Sequence, residues 1–207
     1  MLLSYRYKVA RPKLHDDALQ IRLLETAGML LTSEGPQALS LRRLAAEAGT
    51  STSAVYALFG GKLGILRALF INAFTRFAAR LNKVRPSEDP LADILALAHA
   101  YRASALADPH LYAVMFGSPV PGFEPTPEDY AHAKAIFTPL LDAVHRAIAA
   151  GLLVEADSGL IATALWANVH GLVSSELRCA APARSVSLDE LFENAIQANL
   201  EGWRARP

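Results

Sequence analysis

The chain has 207 residues, 52% hydrophobic and 19% charged, which is enough apolar material for a packed core and excludes wholesale disorder; its single cysteine, Cys179, excludes a disulfide framework or a thiolate metal cluster. Lysine plus arginine equals aspartate plus glutamate at 20 each, yet residues 1–85 hold 13 basic and 5 acidic side chains and the remainder 7 and 15, so a net +8 stretch is joined to a net −8 stretch. No run reaches the ~18 apolar residues of a membrane helix, since 160–173 is broken by Thr163, Asn168 and His170, and the opening MLLSYRYKVARPK is too short in apolar residues for a secretory signal.

Strand signals are absent, and the chain reads as about nine helices. A helix over 16–33 carries Ile21, Leu24, Ala27 and Leu31 on one face, with Asp16 and Asp17 in its first turn. Glu34-Gly35-Pro36 ends it, because Gly accepts a left-handed cap and Pro cannot continue a helix. Ser40 caps a short helix over 41–48, whose Leu41, Leu44, Ala45 and Ala48 share a face. Gly49 closes it, Ser51 or Thr52 opens another to about Phe59, and Gly60-Gly61 breaks again. A long helix follows from Lys62 to about Val84. Further helices are expected over 88–107, 109–116, 128–150, 158–178 and 187–203. Pro119, Pro121, Pro125 and Pro127 make 117–127 a loop or lid, and Ala181-Pro182 separates the last two helices.

The two short helices joined by Gly49-Thr50-Ser51 have the size of a helix-turn-helix. The second offers small or polar Thr52, Ser53 and Ala57 to the outside, with Val55 and Phe59 turned inward. A helix that enters a major groove ~12 Å wide must be slim and polar on that side. Arg42, Arg43 and Lys62 flank the unit and suit phosphate contacts. Lys8, Arg11 and Lys13 could form a basic arm, or simply a solvated tail.

The run SLRRLAAEAGTSTSAVYALFGGKLGILRALF, residues 40–70, resembles the N-terminal DNA-binding domain of TetR-family transcriptional regulators. Arg42, Leu44-Ala45, Ala48-Gly49, Ser51, Tyr56, Phe59 and Lys62 carry the match, and the preceding helix with Ala27, Leu31 and Gly35 fits. The resemblance implies that Thr52 and Ser53 start a recognition helix, that Tyr56 reaches the phosphate backbone and that Lys62 binds a phosphate. With Ser40, Arg42, Arg43 and Ser51 these are the candidate DNA-binding residues. Thr50 stands where an inward Val is usual, and Ala57 cannot hydrogen-bond a base edge, so readout should rest on Thr52, Ser53 and Arg42.

LWANVHGLVSSEL, residues 165–177, and DPHLYAVMFGSPVPG, residues 108–122, resemble the ligand-binding domain of a TetR subgroup marked by a Trp…His-Gly signature. Trp166 and His170 share a helix face at i, i+4. Tyr101, Tyr112, Met115, Phe116, Phe137, Trp166 and His170 are therefore candidate effector-binding residues for a small, mostly apolar molecule. An aromatic stripe at this spacing also suits plain core, with His170 a hydrogen-bonded core residue. Leu188, Leu191, Phe192, Ala195, Ile196 and Leu200 form one apolar stripe, and Leu165, Val169, Leu172 and Val173 another. Family resemblance implies a homodimer through the last two helices, with Leu165, Val169, Leu172, Leu188, Phe192, Ala195 and Ile196 as interface candidates. Both stripes could instead be satisfied within one subunit.

The expected fold is all-α. A three-helix, helix-turn-helix domain over 1–61 precedes a helical ligand-binding and dimerisation bundle over 62–207. The expected function is a cytoplasmic, nucleoid-associated repressor that binds a pseudo-palindromic operator and is released by a small effector. Its expected partners are double-stranded DNA, that effector and a second copy, with no membrane, cofactor or metal. A helical scaffold and a small helical enzyme are the rival readings. No G-x-S-x-G, H-E-x-x-H or G-x-G-x-x-G motif is present, and the six histidines lack ligand-type spacing.

Overall fold

The computed structural model describes residues 13–35, 37–117, 120–178 and 187–206, with side chains from Asp17 onward. Lys8, Arg11, Pro36, Pro119, Cys179 and the Ala181-Pro182 break fall outside the described residues, as do the side chains of Lys13 and Asp16. The described residues form helices joined by turns, with one isolated antiparallel bridge between Leu153 and Arg204. None of these helices is by itself long and apolar enough to cross a membrane. The chain divides into two compact units, Met1–Leu69 with Pro119–Glu124, and Phe70–Ser118 with Pro125–Pro207.

In the first unit α1 (Lys13–Glu34) buries Leu23, Leu24, Ala27 and Leu30 against α2 (Leu41–Glu47) and α3 (Thr52–Phe59). Ile21 is exposed and Leu31 half-buried, so the inward face is rotated from the expected one. Both sets obey helical spacing, and the packing of α2 and α3 selects between them. The Ser40 hydroxyl caps α2 by accepting from the Arg43 N–H.

Gly49 then closes α2 in the left-handed conformation, φ 64°. The Thr50 N–H reaches the Ala45 carbonyl at 2.8 Å and the Gly49 N–H the Ala46 carbonyl at 3.2 Å, a Schellman turn. Ser51 caps α3 through the Ala54 N–H, and Gly60, φ 71°, ends it. α4 (Lys62–Leu81) starts at once and contributes Ile65, Leu66 and Leu69 to the first unit's core. Gly64 makes that start possible: a Cβ there would lie 1.7 Å from the Phe59 carbonyl oxygen.

The second unit takes the rest of α4 with α5 (Pro90–Ala107), α6 (Pro109–Phe116), α7 (Pro127–Ala149), α8 (Ser158–Leu177) and α9 (Leu188–Gly202). Asp89, Thr126, Asp157 and Ser187 cap α5, α7, α8 and α9, and Thr126 forms a reciprocal capping box with Asp129. α5 packs on α7 and α8, and α8 on α7 and α9. Burial pushes the Asp93 carboxyl up, but hydrogen bonds from Arg146 and Ser87 outweigh it and hold the group below its ordinary value. Arg102 joins three helices: it makes two bonds of 2.8 Å to Glu176, one of 2.6 Å to Asp189, and lies 4.9 Å over the Phe192 ring.

The overlap at Gly64 yields a prediction for the first unit. Gly64→Ala must push α4 off the end of α3, and should cost about 1–3 kcal/mol as an overpacked site. Chemical denaturation of the full chain measures this, with Ala57→Ser at an exposed position as the surface control.

Candidate nucleic-acid interface and bundle cavity

The outer side of α3 is built by exclusion. Val55 is fully buried, which aims Thr52, Ser53, Tyr56 and Ala57 into solvent on one face, Tyr56 being 57% exposed. Apart from Tyr56 these side chains are short, so the helix is slim where a groove would need it to be. Arg42 is exposed on α2 and Lys62 sits, half-buried, at the first position of α4. Ser40 and Ser51 are exposed but spend their hydroxyls on helix capping, accepting from the Arg43 and Ala54 N–H groups at 3.3 and 3.1 Å.

Arg43, expected at phosphates, is engaged in ion pairs within its own unit. Two of its nitrogens meet the Glu34 carboxylate at 2.7 and 2.6 Å, and its Nε meets Glu47 at 2.8 Å. These hydrogen bonds hold the Glu34 carboxyl below the usual carboxylate range. The guanidinium thus ties the end of α1 to α2. The basic N-terminal stretch is also not all in the first unit. Arg76 and Arg80 lie in the second, where both approach Asp108, at 3.3 and 3.9 Å, and Arg80 donates to the Ser104 carbonyl at 3.0 Å.

In the second unit the candidate aromatics form a connected cluster. Trp166 stacks on His170 with ring centroids 4.9 Å apart, and Phe116 meets the same imidazole edge-on at 4.7 Å. The hydroxyls of Tyr101 and Tyr112 lie 3.0 and 2.8 Å from His170 Nδ1, and Tyr112 also reaches Ser174 at 3.2 Å. A neutral ring protonated on Nε2 lets Nδ1 accept a tyrosine hydroxyl. Burial, followed by the Arg178 charge, pushes the His170 pKa below its ordinary 6.5. Burial pushes both phenols up. Met115 is buried, whereas Phe137 on α7 makes no ring contact with the cluster among the described residues.

Beside this cluster is a cavity of about 40 Å³, on whose wall stand Tyr101 and Trp166. Tyr112, Met115, Phe116, Phe137 and His170 do not line it. Most of the lining is aliphatic, from α4, α5, α7, α8 and α9, and includes Leu165, Val169 and Ile196. That placement corrects the expected dimer stripe. Leu165, Val169, Phe192 and Ile196 are each at least 94% buried inside their own chain and have no area left for a partner. Leu172 and Ala195 are half-buried, and Leu188 is exposed. Sequence reasoning missed Arg102 and Gly64; a glycine inside a helix was the available signal for the second.

Comparison with known proteins follows the same division. A family model described as bacterial regulatory proteins, tetR family, matches residues 23–69, and one described as the tetracyclin repressor-like C-terminal domain matches residues 94–199. HTH-type transcriptional regulators of Mycobacterium bovis and Mycobacterium tuberculosis are each 30% identical over 141 residues, 66% of this chain. The matched region spans 58% of those relatives' length. A Rhodococcus protein of unknown function has a solved structure with TM-score 0.76 at 28% identity, covering 98% of this chain and 100% of that one. A TetR family transcription regulator from Marinobacter aquaeolei shares the fold, with TM-score 0.76 at 22% identity over 94% of this chain and 100% of its own.

The His170 environment sets a pH dependence. A histidine whose folded pKa is depressed binds its proton more readily in the unfolded chain. Stability is therefore complete above 6.5 and declines as the pH falls through 6.5 toward the lowered folded value. Thermal melts of the full chain between pH 7.5 and 5.5 should show this decline, and His170→Gln should flatten it.

Proposed function

The chain belongs to the TetR family of bacterial transcriptional regulators, and on that footing we propose that it acts as a homodimeric repressor released from a pseudo-palindromic operator by a small, mostly apolar effector. The observation that carries the reading is the outer face of α3: small or polar side chains exposed between two capped ends, with Val55 locked beneath them. In this reading Thr52 and Ser53 meet base edges, while Tyr56, Arg42 and Lys62 contact phosphates. Arg43 serves the head by holding α1 to α2. In a dimer, two such helices would enter successive major grooves ~34 Å apart.

For the second copy, the reading now favours surface that the protomer does not use. Thr163, Ala167, Gly171 and Ser175 recur every fourth residue on the exposed side of α8, and a Cβ at Gly171 would meet nothing within 4 Å of its own chain. Exposed Leu188 and Leu191 extend the available apolar area on α9. An effector in the bundle releases the operator if it binds better to a form whose two heads no longer match the grooves, a coupling of ~1–3 kcal/mol or more.

Titration of labelled promoter DNA at several salt concentrations tests the reading. Affinity should fall steeply with salt, and Lys62→Ala should weaken all duplexes alike and reduce the log–log slope by roughly 1. Thr52→Ala should instead change which base pair is preferred, by about 1–3 kcal/mol at that position. A flat salt response would favour the scaffold reading.

A further inference from the structure

As it stands, the bundle cavity is too small for even one aromatic ring. At about 40 Å³ it falls well short of the ~150 Å³ that accommodates benzene, so a guest of that size needs part of the wall to move. α7 contributes Ile136 and Leu140 to the wall, and Pro139 lies between them inside the helix. Proline has no N–H, so the Ala135 carbonyl loses its helical donor, and the ring crowds that carbonyl. One residue earlier the Thr138 hydroxyl donates back to the Lys134 carbonyl at 3.1 Å, a bond of the kind that bends helices. Burial changes at the same place. Ala143, Val144 and Ala147, after the proline, are at most 1% exposed, whereas of residues 130–138 Ile136 alone is buried. Tyr130 meets the Phe70 ring edge-on at 5.9 Å and stays half exposed. The first turn is closed by the capping box between Thr126 and the buried Asp129, a pair of bonds internal to this stretch.

We propose that α7 is hinged at Pro139 and that its first half, residues 127–138, is a gate over the cavity: it swings outward, withdraws Ile136 from the wall and admits a guest larger than the closed space. The second half stays seated through Ala143, Val144 and Ala147. Opening exposes one aliphatic side chain and parts one aromatic edge contact, a small loss beside unfolding the bundle. The hinge itself already lacks one backbone hydrogen bond. No charged side chain lines the cavity, so the guest it favours is neutral and mostly apolar. The gate deepens the effector reading above and rests on it for what the guest does to DNA binding, not for the motion.

The test uses the full chain, amide hydrogen exchange and N-phenyl-1-naphthylamine, a neutral apolar fluorophore too large for the closed cavity. Amides of 130–138 should exchange roughly tenfold or more faster than those of 143–149. In a Trp203→Phe background Trp166, on the cavity wall, is the one remaining tryptophan, so energy transfer from it reports entry of the probe. Pro139→Ala restores an N–H to the helix and should slow both the exchange of 130–138 and probe entry, by roughly 5- to 100-fold. Ile136→Ala should speed both and leave 143–149 protected, which a general loosening of the bundle would not do. Uniform exchange along α7, entry rates that neither variant changes, or no transfer from Trp166 would overturn the proposal. Duplex binding measured on the same samples separates the two readings. Gated entry that leaves duplex affinity unchanged supports the hinge and rejects effector release. Duplex release by the probe with ungated entry rejects the hinge and supports effector release.

Discussion

An eight-residue helix in water does not hold itself together, and α3 has only eight residues. Of its described residues Val55 alone is fully buried, so one side chain cannot supply the anchoring. The ends do most of it. Ser51 satisfies an N-terminal amide, Gly60 turns the chain left-handed at the other end, and Gly64 lets α4 begin against the Phe59 carbonyl. Fixing the helix from its ends and underside is what frees its outer side from structural duty. Thr52, Ser53 and Ala57 can then be small, which is what makes the TetR-type head slim enough for a groove.

Arginine does different work at different places in this chain. Arg43 fastens α1 to α2 through two carboxylates, Arg102 fastens α5 to α8 and α9, and Arg146 satisfies the nearly buried Asp93. The first of these is solvent-exposed, and such pairs contribute modestly and weaken with salt. Arg102 and Glu176 are mostly shielded, so loss of either would leave a charge stranded at a three-helix junction. Only Arg43 of these three belongs to the basic stretch of residues 1–85, where Arg76 and Arg80 are likewise drawn to an acidic partner, Asp108.

Helix ends were legible in the sequence because their punctuation is local. Ser40, Gly49, Ser51 and Gly60 each act within a turn of where they sit, and the structure uses all four as read. The inward face of α1 was not legible, because Ile21 and Leu31 satisfy helical spacing as well as Leu23 and Leu30 do. The stripes on α8 and α9 raised the same difficulty. A core and an interface select the same residue types, and only the packing of α5 and α7 shows that Leu165, Val169, Phe192 and Ile196 are already covered. Of the helix-turn-helix candidates, Thr52, Ser53 and Tyr56 are exposed on α3, whereas Arg43 is engaged by acidic partners that lie nine residues before it and four after it in the chain. Of the effector candidates, Tyr101 and Trp166 belong to both the aromatic cluster and the cavity wall and Tyr112, Phe116 and His170 to the cluster alone, a distinction that side-chain direction makes and residue type does not.

Arg102 also bears on how the last two helices are held together. Glu176 near the end of α8 and Asp189 at the start of α9 are both held to its guanidinium, at 2.8 and 2.6 Å. One side chain on α5 thus ties the C-terminal turn of α8 to the N-terminal turn of α9. The register of α8 against α9 is consequently held at this end by a single guanidinium, so Arg102→Met should loosen the start of α9 before the rest of the bundle.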